Sequence, residues 1–448
     1  MKAAWITLML AQMPALFAVD MAEIRSLIAN RVDTGRAVGI VAGVIDPSGR
    51  QVTASGKVSR ESATQPDGDT VFEIGSVTKV FTSLVLADMI EHGEVKADDP
   101  VAKYLPEGVR MPSRNGREIT LLDLSMQISG LPRLPDNLKP ADGANPYVDY
   151  DAPKLYEFLS RYNLTRDPGE KYEYSNLAAG LLGHALARKA GVSYEELLRR
   201  RILEPLGMNN TSITLTELQK RRLAPGYDGS LRPVKNWDFD VLAGCGALRS
   251  TVNDLLKFVA ANLELTDTAL RPAMRRMRSM RKETGVPDMQ IAMAWHIFTK
   301  FGDDIFWHNG GTYGYRSFVG YQPEKKQGVV ILCNTFLEND DLGRHILDSR
   351  YPVETCQNEA QVAPEVLDRY VGEYPFTPAF KIAVTREGQR LFVQATGQPR
   401  LEVFAASQNE FFLKVVNARI TFLEESAGKV TGLILHQNGV DQKAPKVK

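Results

Sequence analysis

Ser76 and Lys79 are the clearest candidates for a reactive pair of side chains, because a hydroxyl and an amine lie three positions apart. The run 76–90 is rich in helix formers and Gly93 follows it, which predicts a buried helix that begins at the serine. Residues three apart on a helix share a face, with about 5–6 Å between their Cβ atoms. A buried lysine loses its charge through desolvation and can then accept a proton. The pair therefore predicts an activated serine nucleophile.

A second pair of polar residues, Tyr174 and Asn176, follows the turn signal Pro168-Gly169 and precedes a predicted helix over 177–186. Loops that lead into helices commonly present catalytic groups, so both side chains are candidates for the same site. The alternative is that Asn176 caps the helix and Tyr174 packs against it.

The third segment is His308-Asn309-Gly310-Gly311-Thr312, which lies between two stretches of alternating apolar and polar residues. This alternation predicts two antiparallel strands, and the glycines allow a backbone to approach a ligand closely. A histidine near a turn is more often structural. Three such segments in this order along one domain are much less expected by chance than any one of them alone.

Together these segments resemble the penicillin-recognising serine hydrolases, which comprise class C β-lactamases, DD-carboxypeptidases, penicillin-binding proteins and related esterases. The resemblance covers roughly residues 24–350. The segment 119–124 is similar to the family's helix before its T-S-G-L-P stretch, and Ser129-Gly130-Leu131-Pro132 is similar to that stretch itself. The segment 246–251 is similar to the family's G-L-x-S-T helix entry.

The resemblance implies three catalytic residues. Ser76 would be the acylated nucleophile, Lys79 its hydrogen-bonded partner and Tyr174 the proton shuttle. A hydroxyl needs a base in order to attack at neutral pH, so these roles agree with the chemistry that the residue types suggest.

The resemblance also implies a substrate-binding set made of Asn176, His308, Gly310 and Gly311. Asn176 would bind the substrate amide or orient the lysine, and His308 takes the place of the lysine in the family's K-T-G motif. Gly311 would donate its N–H to an oxyanion hole together with the N–H of Ser76, and each such donor contributes about 2.7–4 kcal/mol.

Three departures from the family pattern leave the substrate open. His308 replaces a lysine, and an imidazole with a pKa near about 6.5 is mostly neutral at pH 7, so it binds a carboxylate less strongly. Gln127-Ile128 stand where the family often carries H-T, which predicts the loss of a polar packing group near the site. Arg133 and Leu134 stand where class C enzymes usually carry a glutamine.

Composition excludes some classes of partner. The 448 residues include 54 basic and 54 acidic side chains, so no net field attracts the chain to nucleic acid or to an anionic membrane. The expected partner is a small-molecule or peptidoglycan-derived substrate, and the oligomeric state stays open. The six histidines are scattered and no metal-binding motif occurs, so we expect no metal and no cofactor.

The start of the chain predicts export. One basic residue and an apolar stretch to Ala18, too short to span a bilayer, are typical of a secretory signal, with a buried N-terminal helix as the alternative. After its removal we expect no stable membrane insertion. Three cysteines, Cys245, Cys333 and Cys356, are too few for a disulfide framework, and Cys333 is predicted in a buried strand. The protein is therefore expected in the periplasm or secreted.

Three regions are expected: a signal peptide over 1–18, a β-lactamase-like domain over 19–355 and a β-domain over 363–448. Hairpin signals near 38–53 and strand signals over 291–332 enclose mostly helical patterns, which predicts an α+β fold with a helical insertion between the two ends of an antiparallel sheet. A last helix near 342–349 closes this domain. Short alternating strands after Leu367 predict a small antiparallel barrel, which is similar to the lipocalin-like module of some family members.

The sequence thus favours a serine hydrolase that acts through an acyl-enzyme on a β-lactam or a D-Ala-type peptide. A carboxylesterase of the same family is one alternative. A penicillin-binding sensor that is acylated and does not turn over is another.

Overall fold

The computed structural model describes residues 20–354, 359–414, 418–425, 428–437 and 440–447. The predicted signal peptide and Cys356 lie outside these ranges. Within them, no helix is long and apolar enough to cross a bilayer.

The described residues form eleven α-helices. They are α1 (Met21–Asp33), α2 (Thr78–Glu91), α3 (Leu121–Ser125), α4 (Ala152–Arg161), α5 (Asn176–Ala190), α6 (Tyr194–Leu198), α7 (Glu217–Arg222), α8 (Val252–Asn262), α9 (Arg271–Ser279), α10 (Asp340–Leu347) and α11 (Pro364–Tyr370).

The strands of the N-terminal part number fourteen in the same ranges. They are β1 (Gly39–Asp46), β2 (Gly49–Gly56), β3 (Phe72–Glu73), β4 (Ser113–Arg114), β5 (Arg117–Glu118), β6 (Gly226–Tyr227), β7 (Pro233–Val234), β8 (Arg249–Ser250), β9 (Lys282–Glu283), β10 (Met289–Ala292), β11 (Trp295–Phe298), β12 (Ile305–Gly311), β13 (Arg316–Gln322) and β14 (Gln327–Cys333).

One antiparallel sheet organises this part, with strand order β2-β1-β14-β13-β12-β11-β10-β9. The hairpin β1–β2 from the start of the chain pairs with β14 from the end of this part, with Ile40 opposite Cys333. Every residue of β1 is buried, because both faces of the sheet are covered. Alternate β1 residues contribute to two cores, one shared with α1 and α10 and the other with α8. The sheet is therefore the middle layer of three.

The helices between β2 and β9 form the insertion. Helix α2 lies at its centre and is apolar on nearly all sides, with twelve consecutive buried residues from Thr78 to Met89, as expected for a helix enclosed by others. Lys79 is one of these twelve, so the fold places an amine inside a core.

Eight further strands follow α11 and form a second antiparallel sheet in sequential order. They are β15 (Gly372–Thr377), β16 (Phe380–Glu387), β17 (Arg390–Ala395), β18 (Leu401–Ala405), β19 (Glu410–Phe412), β20 (Ala418–Glu424), β21 (Val430–Gln437) and β22 (Val440–Pro445). Val447 N–H donates to the carbonyl of Glu373 at 3.0 Å, which brings the last strand beside the first and nearly closes a barrel. The barrel has its own apolar core.

The predicted α+β fold is thus confirmed, including the helical insertion and the small C-terminal barrel. Two local predictions need adjustment, and a third is confirmed. Helix α2 begins at Thr78 and not at Ser76, because Ser76 lies in a 3-10 turn, Gly75–Val77, that precedes it. Helix α10 runs from Asp340 to Leu347, two residues earlier than predicted at each end. Cys333 is fully buried in β14, as predicted.

Candidate active site

Ser76 occupies the 3-10 turn that leads into α2, directly against the end of β12. Gly75 has φ +48°, a left-handed conformation that side chains disfavour, and a Cβ there would lie 2.7 Å from the Gly311 nitrogen. Glycine at position 75 therefore allows the turn and the strand to touch. Among the described residues, the Ser76 N–H has no backbone acceptor, as is usual for the first donors of a helix.

Lys79 lies one turn after Ser76 with only 1% of its surface exposed. Its Nζ contacts three oxygens: Ser76 Oγ at 3.0 Å, Asn176 Oδ1 at 2.9 Å and the Cys245 carbonyl at 2.7 Å. An ammonium group has three donors, so this environment satisfies all of them. The amine is thereby held in one orientation toward the serine.

The three contacts of Lys79 differ in one chemical respect. The amide oxygen of Asn176 and the carbonyl of Cys245 can only accept hydrogen, so two N–H bonds of the amine point at them. The Ser76 hydroxyl can either accept or donate. When Lys79 is neutral, its lone pair therefore faces the Ser76 proton, and this contact is the one through which a proton can pass.

Asn176 is the first residue of α5, and the residue that caps this helix is Ser175, whose Oγ accepts from Ala178 N at 2.9 Å. The alternative reading of Asn176 as the helix cap is therefore wrong. The Asn176 side chain is instead held by two contacts, since its Nδ2 donates to the Tyr147 hydroxyl at 3.0 Å while its Oδ1 receives Lys79.

Tyr174 lies in the loop before α5, and its ring covers the amine of Lys79, with Nζ 4.7 Å from the ring centroid. The guanidinium of Arg133 lies 5.1 Å from the same centroid. Among the described residues, the Tyr174 hydroxyl has no hydrogen-bond partner. Its ring is thus fixed while its hydroxyl stays free to bond to another group.

Gln127 fixes the loop that carries Tyr174. Its carbonyl accepts from Glu173 N at 2.8 Å and its Oε1 accepts from Ser175 N at 2.5 Å, while its own backbone adopts φ +59°. The expectation that a polar packing group is missing near the site is therefore wrong, because the buried side chain of Gln127 supplies one.

His308 lies in β12 and is 1% exposed, with its Nδ1 2.5 Å from the Asn309 carbonyl. Burial, with the nearby His296 and Lys79, lowers the pKa of His308 well below its usual value. Burial and Lys79 lower the pKa of His296 to about 4, and the two imidazole rings lie 5.1 Å apart. Both imidazoles are therefore neutral at pH 7.

Gly310 and Gly311 face opposite sides of β12. A Cβ on Gly310 would lie 2.0 Å from the Ile74 carbonyl, so this residue allows the strand to press against the turn that carries Ser76. Thr312 N donates to the Tyr315 carbonyl at 3.2 Å, so these two residues form a hydrogen-bonded pair. Such pairs alternate along antiparallel strands, and the next pair, Gly311 and Arg316, therefore has no hydrogen bonds between its backbone groups. The Gly311 N–H therefore points away from β13, and its nitrogen lies close to Gly75 in the turn that carries Ser76.

A cavity of about 230 Å³ opens in front of Ser76. Of the predicted site residues, Ser76, Asn176 and Gly311 line it, whereas Lys79, Tyr174, His308 and Gly310 lie outside its lining. Arg133 and Leu134, the two residues that depart from the family pattern, line it as well.

Four aromatic residues that sequence reasoning missed form one wall of this cavity. The rings of Tyr147 and Phe239 stack with centroids 4.6 Å apart, and Trp237 meets Tyr313 edge to face at 4.7 Å. Trp237 N donates to Glu73 Oε1 at 2.9 Å, which ties this wall to the strand before Ser76. These residues come from loops without any periodic pattern, so the sequence carries no signal that would unite them.

Comparison with known families identifies both parts of the chain. The family model described as Beta-lactamase matches residues 24–349. A second model, described as Domain of unknown function (DUF3471), matches residues 357–445, which include the barrel strands.

Individual relatives agree with the first match. The D-alanyl-D-alanine-carboxypeptidase/endopeptidase AmpH of Escherichia coli (strain K12) is 30% identical over 311 residues, which cover 66% of this chain and 79% of the relative. Penicillin-binding protein 4* of Bacillus subtilis (strain 168) is 25% identical over 419 residues, covering 85% of this chain and 88% of the relative.

A solved structure is similar in the same region. The β-lactamase/D-alanine carboxypeptidase of Yersinia pestis, solved with citrate, superposes with a TM-score of 0.62 at 27% identity. The superposition covers 73% of this chain and 96% of that one.

Proposed function

The chain belongs to the Beta-lactamase family, and on that premise we propose that it is an exported serine hydrolase that forms an acyl-enzyme on Ser76. Family membership and the relatives support a serine hydrolase of the β-lactamase or DD-peptidase type. The observation that carries the mechanism is the contact of Lys79 Nζ with Ser76 Oγ, at 3.0 Å, in a setting where the other two contacts of the amine can only accept hydrogen.

In the proposed acylation, Ser76 Oγ attacks the carbonyl carbon of the substrate while its proton passes to Lys79. The ammonium that forms keeps three acceptors, and the ring of Tyr174 lies within the range of a cation–π contact. Lys79 is thus placed to receive the proton from Ser76 and to hold it among these acceptors.

The negative charge on the substrate oxygen would be bound by two backbone donors, the N–H groups of Ser76 and Gly311. Support comes from the Ser76 N–H, which has no backbone acceptor among the described residues, and from the ladder pattern that turns the Gly311 N–H away from β13. Fixed donors of this kind contribute about 2.7–4 kcal/mol each to the transition state.

Tyr174 is proposed to pass the proton from Lys79 to the leaving group, and to return one from water when the acyl-enzyme is hydrolysed. The position of the Tyr174 ring, with its centroid 4.7 Å from Lys79 Nζ, supports this role. Asn176 would hold Lys79 in place and contact the substrate in the cavity. His308 and Gly310 would act indirectly, by holding β12 against the Ser76 turn.

The proposed substrate is a β-lactam or a D-Ala-type peptide, in keeping with the relatives named above. A carboxylesterase is the second candidate, and two observations favour it. His308 is neutral and buried where the family usually carries a charged lysine, and the cavity has an aromatic wall, so the site is well suited to an uncharged acyl group. Export to the periplasm or medium is proposed from the N-terminal sequence.

The test is covalent labelling with a fluorescent penicillin and with a fluorophosphonate, followed by turnover of a chromogenic cephalosporin, a D-Ala-D-Ala peptide and a short nitrophenyl ester. Ser76→Ala is expected to lose the label and all turnover, whereas Ser113→Ala, which removes an exposed hydroxyl from β4, keeps both. Turnover that persists in Ser76→Ala would contradict the proposal. A stoichiometric burst without turnover would identify a penicillin-binding sensor instead.

A further inference from the structure

Arg133 carries the one charged side chain among the described residues that line the cavity at Ser76. The other lining residues are glycines or have side chains of uncharged types, so no carboxylate of the protein lies in this lining. A substrate that enters the cavity therefore meets one positive charge and no negative charge.

The guanidinium of Arg133 forms no ion pair and no hydrogen bond within the part of the chain that the structure describes. It lies against the ring of Tyr174, with Cζ 5.1 Å from the ring centroid. Glu173, the acidic residue next to Tyr174 in the chain, pairs with Arg166 instead. A ring face supplies no lone pair, so the five N–H donors of the Arg133 guanidinium are left for water or for a ligand.

The backbone fixes Arg133 beside the catalytic residues. Its carbonyl accepts from the N–H groups of Asn176 at 3.0 Å and Leu177 at 3.2 Å, at the start of α5. Ser175 Oγ also donates to the carbonyl of Pro132 at 2.6 Å. The segment that carries Arg133 is thus tied to the helix whose first residue contacts the catalytic amine, and position 133 has a defined place at the cavity.

No other residue of the lining can provide the positive charge that family members usually carry at position 308. His308 is buried outside the lining, and burial lowers its pKa well below the usual value, so its ring is neutral. Arg133 is exposed, whereas Tyr147 in the aromatic wall is 4% exposed. The cavity therefore combines an apolar wall with one solvent-accessible cation.

We propose that Arg133 binds a carboxylate of the substrate and thereby makes the hydrolase selective for anionic substrates. The inference rests on the proposed function, because it assigns the charge of the molecule that reacts at Ser76. A guanidinium can donate to both oxygens of a carboxylate in parallel, and such charged hydrogen bonds are about twice as strong as neutral ones. The apolar part of the same substrate would lie against the aromatic wall.

Three nitrophenyl esters of matched size show whether the carboxylate belongs to the acyl part or to the leaving part. They are neutral 4-nitrophenyl pentanoate, mono(4-nitrophenyl) glutarate with its acid on the acyl part, and 3-carboxy-4-nitrophenyl pentanoate with its acid on the leaving part. Rates are taken relative to the Ser76→Ala protein, which corrects for spontaneous hydrolysis. We expect one acidic ester to exceed the neutral ester about fivefold in kcat/KM, as for an exposed charge pair. This preference should fall in about 0.5 M NaCl because salt screens exposed charges.

Arg133→Gln is expected to abolish the preference, mainly by raising KM for the acidic ester, while kcat/KM for the neutral ester stays within about twofold. Arg133→Lys should keep part of the preference, because it keeps the charge but loses the paired donors. Arg25→Gln is the matched control, since it removes the charge of an exposed arginine on α1, outside the cavity lining. Equal kcat/KM for all three esters, or a preference that survives Arg133→Gln in a folded protein, would overturn the assignment.

A binding measurement separates this assignment from the chemistry. Glutaric acid monoanilide and neutral pentananilide are titrated into the Ser76→Ala protein by calorimetry, with and without Arg133→Gln. We expect the acid to bind about fivefold more tightly, and only while Arg133 is present. Selective binding of the acid without any turnover that depends on Ser76 would refute the proposed function and leave the carboxylate site standing. Turnover that depends on Ser76, with equal binding of the two anilides, would overturn the carboxylate site and leave the proposed function standing.

Discussion

Two buried imidazoles, those of His296 and His308, lie 5.1 Å apart, and His308 stands where the family usually carries a lysine. Burial lowers the pKa of both imidazoles, so neither ring is charged at neutral pH. At the residue scale, the exchange of lysine for His308 therefore replaces a permanent positive charge by a buried neutral ring.

Tyr174→Phe tests the proton transfer assigned to the free hydroxyl. The variant keeps the ring that covers Lys79 and removes an oxygen that bonds to no described residue, so we expect little change in the thermal midpoint. Loss of a positioned acid–base group lowers rates by about 10²–10⁴-fold. The measurement is kcat on the best of the three substrates, with circular dichroism melting alongside.

Tyr162→Phe is the control for this substitution. Tyr162 follows α4 and lies outside the cavity lining, so removing its hydroxyl should leave kcat within about twofold. If Tyr174→Phe instead melts several degrees lower and keeps normal activity, then Tyr174 has a structural role and the shuttle is a different group.

At the scale of elements, sequence reasoning succeeded where local pattern determines structure. The spacing of Ser76 and Lys79 could be interpreted because one helical turn fixes their separation. The strands around His308 could be predicted because apolar and polar residues alternate along them. Tyr147, Trp237 and the carbonyl of Cys245 could not be found in this way. They reach the site from irregular loops, and their positions depend on tertiary packing that no period encodes.

Gly310→Ala tests the contact between β12 and the turn that carries Ser76. A methyl group there would lie 2.0 Å from the Ile74 carbonyl and 2.5 Å from Ser317 Oγ, so the strand must move away from the turn. Overpacking of this kind costs about 1–3 kcal/mol of stability. Because a displacement of about 1 Å at a site can cost 10²-fold in rate, kcat should fall by about that factor.

Gly143→Ala is the matched control, since nothing lies within 4 Å of the added methyl group and its φ is not positive. Urea denaturation and kcat should both stay near those of the unsubstituted protein. Equal behaviour of the two variants would mean that β12 and the Ser76 turn are not closely coupled.

At the scale of the whole molecule, the N-terminal part and the barrel have separate apolar cores. The direct links between them include Arg36, which donates to the Lys414 carbonyl at 3.5 Å. The alternating strands of the barrel were predictable from sequence. The cleft of about 1040 Å³ between the two parts was not, because its lining comes from segments distant in the chain, 228–235 on one side and 387–414 on the other. The domain boundaries stay predictions.

A chain ending at Glu354 tests what the barrel contributes. All residues of the cavity at Ser76 lie before this position, so we expect kcat/KM on a short nitrophenyl ester to stay within about threefold of the full chain. The thermal midpoint should fall by a few degrees as the contact of Arg36 with the barrel is lost.

Ser76→Ala in the shortened chain controls for background hydrolysis. A shortened protein that is folded by circular dichroism but inactive on the ester would contradict this prediction and would mean that the barrel completes the catalytic site.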